Sequence, residues 1–451
     1  MTTNSAENAI TSLPLSDFSD HRKTFVKNMP NNSIAFFSAN NEVTRSNDTE
    51  YAFCQNKNFY YLTGFSEPDA LLVLIKDEKG DASSILFSLP KDAMHEIWHG
   101  RRIGQSKAVQ AYGFDFSYVL DEIDNLVPDY LQDKSQVFFS FEDDAMVKQV
   151  FHWLSKVKAM IRQGAKVPSN LADASPMVAE LRLIKSHSEI ALMRQANYIS
   201  GLAHQRAMQK CLVGKFEYQI EAEILHELAR AGARHPAYAS IVAGGDNANI
   251  LHYTDNSDTL KDNELLLIDA GGELGGYAAD ITRTFPINGK FNAEQKALYQ
   301  LVLDAKNLAV NAIKPKACFA QLNELVNAFL TKGLVELGIL SGDIDELVKD
   351  KVVKDYFIHG LGHWLGLDVH DVGDYQINDN KEQLRPFAIG MVMTIEPGLY
   401  IPLSDLSVDK KWRGIGIRIE DNIVVTEQGF ENLTANSPDE ISDIEALMAR
   451  K

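Results

Sequence analysis

The first part of the chain alternates short apolar runs with amphipathic stretches. Four apolar runs between Ser33 and Val167 predict buried strands: SIAFFSA, ALLVLIKD, SSILFSLP and SQVFFSFE. In AMVKQVFHWLSKVKAMIRQG, five apolar residues share one helical face: Val147, Val150, Trp153, Leu154 and Val157. Strands that alternate with helices are typical of an α/β layer, so this pattern predicts an amino-terminal α/β domain.

A long helical pattern follows, from Ser175 to Cys211, and we place a domain boundary just before it, near Ala174. Residues 1–20 are rich in Ser, Thr, Asn and Asp without a persistent period, which predicts a flexible segment. The chain therefore divides into residues 1–20, an α/β domain over 21–174 and a second domain over 175–451.

The second domain repeats one arrangement. The helical stretches SEIALMRQANYIS and QIEAEILHELARAGA precede one strand-rich region, and AEQKALYQLVLDAKNLAVNAI and QLNELVNAFLTKGLVELGI precede another. Candidate ligands lie in both strand-rich regions. This repeated order of helical and strand-rich stretches predicts two helix-helix-sheet halves that enclose a single site.

Composition narrows the class of protein. The chain has 451 residues and a net charge of −18, from 62 acidic and 44 basic side chains, which argues against nucleic acid or an anionic membrane as the main partner. Three scattered cysteines, Cys54, Cys211 and Cys318, indicate reduced thiols. The amino terminus lacks the features of a secretory signal, and the longest aliphatic runs are too short to span a bilayer. We expect a cytoplasmic protein.

Two aspartates lie on a predicted hairpin. Asp269 ends the apolar strand ELLLID, Asp280 lies on the returning strand GYAADITRTF, and GGELGG supplies the turn. A turn centred between Leu274 and Gly275 would place the two carboxylates directly opposite each other. Opposed carboxylates repel unless cations lie between them, so the pair indicates a metal site.

Two glutamates follow the same logic. Glu396 and Glu420 come directly after the apolar strands GMVMTI and GIGIRI, where an unpaired buried charge would be costly. Pro397 ends ladder pairing, so the strand should open into a site at Glu396. Each glutamate alone could also form a structural ion pair.

Four histidines accompany these acids. His359 and His363 have the i, i+4 spacing of an HExxH helix, but Gly360 and Gly362 disfavour a helix, and we expect only one of the two histidines to bind metal. Neutral imidazoles beside a metal can move protons or stabilise an oxyanion, which makes His370 a further candidate. His252 belongs to the same group, and a structural role stays open for each.

Five potential ligands result: Asp269, Asp280, His363, Glu396 and Glu420. Four carboxylates and one imidazole suit a hard divalent cation such as manganese better than a closed zinc site. The chain contains neither a GxSxG elbow nor a Walker P-loop, and its paired glycines lack the context of dinucleotide binding.

These motifs resemble the pita-bread metallopeptidases, which include aminopeptidase P, prolidase, methionine aminopeptidase and creatinase. The aminopeptidase P branch is the most similar, over SIVAGGDNANILHYTDN, DAGGELGGYAADITRTFPINGKF, HGLGHWLGLDVHDVG, EPGLYI and RGIGIRIEDNI. The segments NFYYLTGFSEPDALLVL and IWHGRRIG resemble it too, so the resemblance covers nearly the whole chain. Gly362 departs from the serine expected there. The resemblance implies a creatinase-like α/β domain followed by an α+β pita-bread catalytic domain.

The resemblance also implies how the ligands are used. Asp280 and Glu420 would bridge two divalent ions, with manganese favoured and cobalt or zinc as alternatives. Asp269 would complete one metal site, and His363 with Glu396 would complete the other.

Further roles follow from the same resemblance. His252, His359 and His370 would line the substrate site, and His359 and His370 would stabilise the developing oxyanion. Arg418 would orient Asp269. Trp98 resembles a residue that family tetramers contribute near a neighbouring active site, which implies a homo-oligomer, either a tetramer or a dimer.

The implied activity is hydrolysis between an amino-terminal residue and a following proline, with hydroxide activated by the two metal ions. Glu396 would take the hydroxide proton and return it to the proline nitrogen. The alternatives are a prolidase confined to dipeptides and a metal-free pita-bread module that binds peptides. Methionine aminopeptidases generally lack a domain like residues 33–167.

Overall fold

The computed structural model describes residues 10–377 and 380–450. The chain divides into two compact units, Leu13–Arg182 and a second unit from Leu183 onward. The division lies beyond the boundary predicted near Ala174, because nearly all of the helix Ser175–Leu183 belongs to the first unit.

The strands of the first unit are β1 (Ser33–Ser38), β2 (Thr44–Ser46), β3 (Thr49–Glu50), β4 (Leu71–Lys76), β5 (Ala82–Ser88), β6 (Phe116–Val119), β7 (Gln136–Phe139) and β8 (Asn170–Asp173). Six of them form a mixed sheet in the order β6-β5-β4-β1-β7-β8, and β2 and β3 pair separately. Its helices are α1 (Leu15–Asn28), α2 (Lys57–Thr63), α3 (Ala93–His99), α4 (Gln105–Tyr112), α5 (Ile123–Leu131), α6 (Asp144–Ala159) and α7 (Ser175–Leu183). All four predicted strands are present.

The core of this unit contains the apolar face predicted for α6. Val150, Trp153 and Val157 are fully buried and belong to one cluster with strand residues such as Ile34 and Val137. Packing of the helix against the sheet removes the apolar surface of these side chains from water, and this burial is the main contribution to the stability of such a layer. The α/β prediction is confirmed.

The predicted flexible segment is wrong over its last part. Residues 1–9 lie outside the described residues, but α1 begins at Leu15. Phe18, Phe25 and Val26 share its buried face. The polar residues that suggested flexibility occupy the other face of an amphipathic helix.

The helical pattern from Ser175 to Cys211 folds as two helices, not one. α8 begins at His187 because the Ser186 side chain accepts a hydrogen bond from the Glu189 amide, and the Glu189 carboxylate accepts one from the Ser186 amide. This capping box satisfies amides at the start of the helix. The sequence SHSE carries that signal.

The second unit contains two helix pairs and several small antiparallel sheets. Its helices are α8 (His187–Lys210), α9 (Glu217–Arg230), α10 (Ala293–Asn311), α11 (Phe319–Glu336), α12 (Ile344–Lys349) and α13 (Ile441–Met448). Its strands are β9 (His235–Pro236), β10 (Ile241–Gly244), β11 (Leu265–Asp269), β12 (Gly272–Leu274), β13 (Tyr277–Ala278), β14 (Thr282–Pro286), β15 (Gln376–Ile377), β16 (Asn380–Leu384), β17 (Val392–Ile395), β18 (Gly398–Ile401), β19 (Ile415–Arg418), β20 (Asp421–Thr426) and β21 (Gly429–Asn432).

These elements form the two predicted halves. The first half places the sheet β10-β11-β14 after α8 and α9, and the second places β17-β20-β21 after α10 and α11. The halves meet where the Glu420 amide donates to the Thr282 carbonyl at 3.1 Å, and where Thr284 Oγ1 donates to the Arg418 carbonyl at 2.9 Å. The α+β architecture is therefore confirmed, and candidate ligands lie at this junction. No helix among the described residues is both long enough and apolar enough to cross a membrane.

Candidate metal centre

The two aspartates do not lie directly opposite each other, contrary to the prediction. Asp269 pairs with Thr282, and the turn is centred between Gly275 and Gly276. Both glycines have positive φ, 57° and 88°, as a two-residue hairpin turn requires. In this register Asp280 lies diagonally across from Asp269 on the same face, where neighbouring residues are typically about 7–8 Å apart and their Cβ atoms somewhat closer.

The directly opposed carboxylates belong instead to the glutamates. Ile395 pairs with Asp421, and Gly398 pairs with Arg418 in the same register. Glu396 and Glu420 therefore face each other in the gap between β17 and β18. The ladder is interrupted there, as Pro397 predicted, and both side chains are free to point into the junction.

His363 reaches the site from an extended segment, as expected, and not from a helix. Its carbonyl accepts a hydrogen bond from the Thr394 amide at 2.9 Å, and its neighbour Trp364 pairs with Met393. A Cβ at Gly362 would lie 2.0 Å from the Thr394 carbonyl oxygen, so only glycine fits this backbone approach.

Three of the five predicted ligands form a compact cluster. Donor atoms of Asp280, His363 and Glu420 all lie within 4.8 Å of one another. Glu396 joins through His363, whose Nε2 lies 3.6 Å from Glu396 Oε1 and 3.4 Å from Asp280 Oδ2. Convergent carboxylate oxygens with one imidazole nitrogen are the donor set that hard divalent ions take, so the residues fit such a metal.

Burial and mutual repulsion perturb the carboxyl groups strongly. Burial raises the pKa of Glu396 to about 7, against the opposing charges of His363 and Arg418. Burial, together with the charges of Asp280 and Glu396, raises the pKa of Glu420 well above its usual range. Carboxyl groups crowded into a dry site favour the protonated form until cations replace the protons.

His363 and Asp280 stabilise each other's charged forms. Burial acts to lower the His363 pKa, but the contact with Asp280 and the charges of Asp280 and Glu396 outweigh it and raise the pKa to about 9. Burial acts to raise the Asp280 pKa, but the His363 contact outweighs it and lowers that pKa. The imidazolium thus occupies the position of a cation among these acids.

Sequence reasoning missed Tyr238, whose hydroxyl lies 2.5 Å from Asp269 Oδ1 and 2.5 Å from Asp280 Oδ1. The diagonal register provides the room for this hydroxyl between the two carboxylates. A phenol has one proton, so a protonated Asp269 would satisfy the second short contact. Burial raises the Asp269 pKa despite the opposing charge of Arg418, in the direction this arrangement requires.

Arg418 connects Asp269 to Tyr400, a second tyrosine that sequence reasoning missed. Its guanidinium donates to Asp269 Oδ2 at 2.7 Å, Thr282 Oγ1 at 3.1 Å and the Tyr400 hydroxyl at 2.9 Å. The Tyr400 hydroxyl also lies 2.7 Å from His359 Nε2. Burial, followed by the charge of Arg418, lowers the His359 pKa to about 3, so this imidazole is neutral near pH 7.

The remaining predicted residues differ in their placement. The His370 ring lies against His363 with centroids 4.2 Å apart, and burial, followed by the charge of His363, lowers the His370 pKa. His252 is exposed on the segment between β10 and β11. Trp98 belongs to the first unit, on α3, with 80% of its surface exposed.

Comparisons with known proteins agree with this geometry. Residues 191–427 match metallopeptidase family M24, and residues 18–138 match the aminopeptidase P N-terminal domain. The chain belongs to metallopeptidase family M24. The resemblance predicted from the motifs is confirmed.

Relatives of this M24 chain are similar over most of their length. The Xaa-Pro aminopeptidase of Escherichia coli (strain K12) is 45% identical over 96% of this chain and 98% of its own. Human Xaa-Pro aminopeptidase 3 is 34% identical over 90% of this chain and 78% of its own.

Two solved structures are similar throughout. Zn-substituted E. coli aminopeptidase P in complex with product has a TM-score of 0.94 at 44% identity, over 97% of this chain and 99% of that one. Pseudomonas aeruginosa aminopeptidase PepP has a TM-score of 0.95 at 42% identity, over 98% and 99%. At these identities the fold of each unit is shared with these proteins.

Proposed function

We propose that this M24 chain is an Xaa-Pro aminopeptidase, which hydrolyses the bond between an amino-terminal residue and a following proline. The observation that carries the proposal is the cluster of Asp280, His363 and Glu420, with donor atoms within 4.8 Å of one another. Similarity to Xaa-Pro aminopeptidases over nearly the whole chain supports the choice of proline.

The proposed ligands for two divalent ions are Asp269, Asp280, His363, Glu396 and Glu420. The oxygen-rich set favours manganese, and cobalt or zinc are alternatives for the same donors. When bound, such ions supply Lewis acidity and lower the pKa of a coordinated water. Arg418 is proposed to orient the first aspartate, which it contacts at 2.7 Å.

Glu396 is the proposed proton carrier. A metal takes the ionised carboxylate, so in the metal-bound chain Glu396 would be able to accept a proton near neutral pH and to release it again. A proline nitrogen within a peptide has no N–H, so it must gain a proton in order to leave. We propose that Glu396 supplies that proton to the nitrogen.

Three histidines are proposed to line the substrate site. His370 contacts the ligand His363 and is exposed, so it can meet a bound peptide beside the ligands. His359 is neutral near pH 7, and its single N–H lies at Nδ1, 2.7 Å from the Gly360 carbonyl oxygen, so it would have to leave that acceptor in order to donate to a developing oxyanion. His252 is proposed to contact the peptide from the segment before β11.

The decisive experiment compares Ala-Pro-Ala with Ala-Pro on the chain reconstituted with manganese, zinc or cobalt. Release of alanine from the tripeptide is the expected result. Activity confined to the dipeptide would identify a prolidase instead. Absence of both bound metal and hydrolysis would identify a binding module. Glu396→Gln should lower kcat about 10²- to 10⁴-fold, with metal content measured alongside.

We also propose a homo-oligomer, a tetramer or a dimer, and a cytoplasmic location. Met94, Ile97 and Trp98 are 68%, 73% and 80% exposed on α3. Apolar side chains at i, i+3 and i+4 on a surface helix are typical of a protein contact. Light scattering of the purified chain, with Trp98→Ala as the variant, tests the assembly.

A further inference from the structure

A buried carboxylate outside the metal centre organises the segment that carries His252. Glu217, the first residue of α9, is 0% exposed. Its Oε1 accepts hydrogen bonds from the Gly244 amide at 2.8 Å and from Asn247 Nδ2 at 3.1 Å. Its Oε2 accepts from the Tyr253 hydroxyl at 2.8 Å and from the Asp258 amide at 2.8 Å.

These four contacts lie along one segment of the chain, residues 244–258. Gly244 and Asp258 are its two ends, and both amides donate to the same carboxylate. The Glu217 carboxylate thereby connects the two ends of the segment, and the Asn256 side chain supports the same base by accepting from the Val242 amide at 2.9 Å and donating to the Ser240 carbonyl at 2.9 Å. Since long connecting segments are otherwise among the mobile parts of a protein, this anchor restricts how far the tip can move.

His252 stands beside one of these anchor points. The Tyr253 side chain is only 8% exposed and is held by its hydroxyl, whereas His252 is exposed. Further contacts support the segment. Asp246 Oδ1 accepts a hydrogen bond from the Leu403 amide at 2.8 Å. Ala248 packs so closely on Gly416 that a Cβ on Gly416 would lie 2.7 Å from the Ala248 carbonyl oxygen. A fixed Tyr253 therefore fixes the backbone from which the His252 imidazole extends.

We propose that Glu217 is a positioning residue for the peptidase reaction, which acts by holding His252 at the substrate site. This inference rests on the proposed function for the role of His252. Glu217 itself lies on α9, against the base of the segment, and is proposed to act without touching the ligands or a substrate.

Glu217→Gln is a sharp perturbation because it preserves shape and changes one acceptor into a donor. In one amide orientation the new N–H₂ faces the Gly244 amide, and in the other it faces the Asp258 amide. Asn247 and the Tyr253 hydroxyl can reorient to accept, but a backbone N–H cannot. Each orientation thus leaves one buried backbone donor without an acceptor and opens one end of the segment.

Kinetics on Ala-Pro-Ala provide the first measurement. Glu217→Gln should lower kcat/KM about 10- to 100-fold, as misplacement of a contact residue does. In a His252→Ala background the same substitution should have an effect below about twofold, because its route of action has been removed. The matched control is Glu223→Gln on the same helix. The Glu223 carboxylate pairs with Arg206, and this substitution should leave kcat/KM unchanged.

Amide hydrogen exchange on the metal-free chain provides a measurement independent of activity. Glu217→Gln should speed exchange over residues 244–258 about tenfold, while residues 265–286 keep their protection. Unchanged exchange would overturn the anchoring role even in an active enzyme. Wild-type chain that hydrolyses no Xaa-Pro peptide, with exchange changed as expected, would refute the proposed function and not the anchor.

The double-variant comparison decides the catalytic part of the inference. An equal loss of kcat/KM with and without His252 would overturn the positioning role. Should Glu217→Gln fail to fold, Tyr253→Phe removes one donor and leaves the carboxylate in place. Its smaller loss must likewise disappear in the His252→Ala background, and an additive loss overturns the proposal.

Discussion

Binding of a divalent metal by this chain should release protons at neutral pH. In the metal-free chain, contacts with Asp280 outweigh burial and raise the His363 pKa to about 9, and burial raises the Glu396 pKa to about 7. A metal takes the neutral imidazole and the ionised carboxylate. Both groups must therefore lose their protons when the site is filled.

The magnitude follows from the two pKa values. At pH 7, a group with a pKa of about 9 is protonated in about 99 chains of 100, and a group with a pKa of about 7 in about half. Their sum is about 1.5 protons, and the raised pKa values of Glu420 and Asp269 act in the same direction. Deprotonating His363 at pH 7 costs about 2.7 kcal/mol, so metal affinity should rise with pH.

Titration calorimetry of the metal-free chain with Mn²⁺ measures this release. The same titration in two buffers of different ionisation enthalpy gives the number of protons per chain. His359→Gln is the matched control, because burial lowers the His359 pKa to about 3 and this group has no proton to lose at pH 7. Release of less than about half a proton per chain would refute the assignment of His363 and Glu396 as ligands.

Three further outcomes are expected. Without metal, the raised His363 pKa stabilises the fold fully below about pH 6.5, and up to about 3 kcal/mol is lost as pH rises through 9, measured by urea unfolding. Lys185→Met removes a 2.8 Å ion pair with Asp371 in which both side chains are 1% exposed, and it should lower the free energy of unfolding in urea by about 3–5 kcal/mol. The exposed control Lys23→Met should change that free energy by less than about 0.5 kcal/mol. Arg418→Lys keeps the charge but loses the forked contacts, so calorimetry should show metal affinity about 10- to 100-fold weaker.

The secondary structure was predictable where a strong apolar period coincided with clear boundaries. The four strands of the first unit and the helix pairs of the second follow this rule. The hairpin register was wrong because the turn was centred by the symmetry of the two aspartates. Gly275 and Gly276 carry the better signal, since a two-residue turn with positive φ at both positions favours a Gly-Gly pair.

The candidate site was predictable in its charged residues and not in its tyrosines. Charged side chains after apolar strands are conspicuous because burial is costly for them. Tyr238 and Tyr400 lie in segments without a distinctive spacing, and each acquires its role only through contacts with residues far away in sequence, such as Asp280 and Arg418. Only the folded chain brings those partners together.

The corrected register changes which acids face each other directly. Asp269 and Asp280 are diagonal, share the Tyr238 hydroxyl and have positive partners of their own in Arg418 and His363. Glu396 and Glu420 lie directly opposite each other, and burial, with the charges of Asp280 and Asp269 added to it, raises the pKa of both. A cation held among these acids would therefore relieve repulsion between all four carboxylates and not only between the two aspartates.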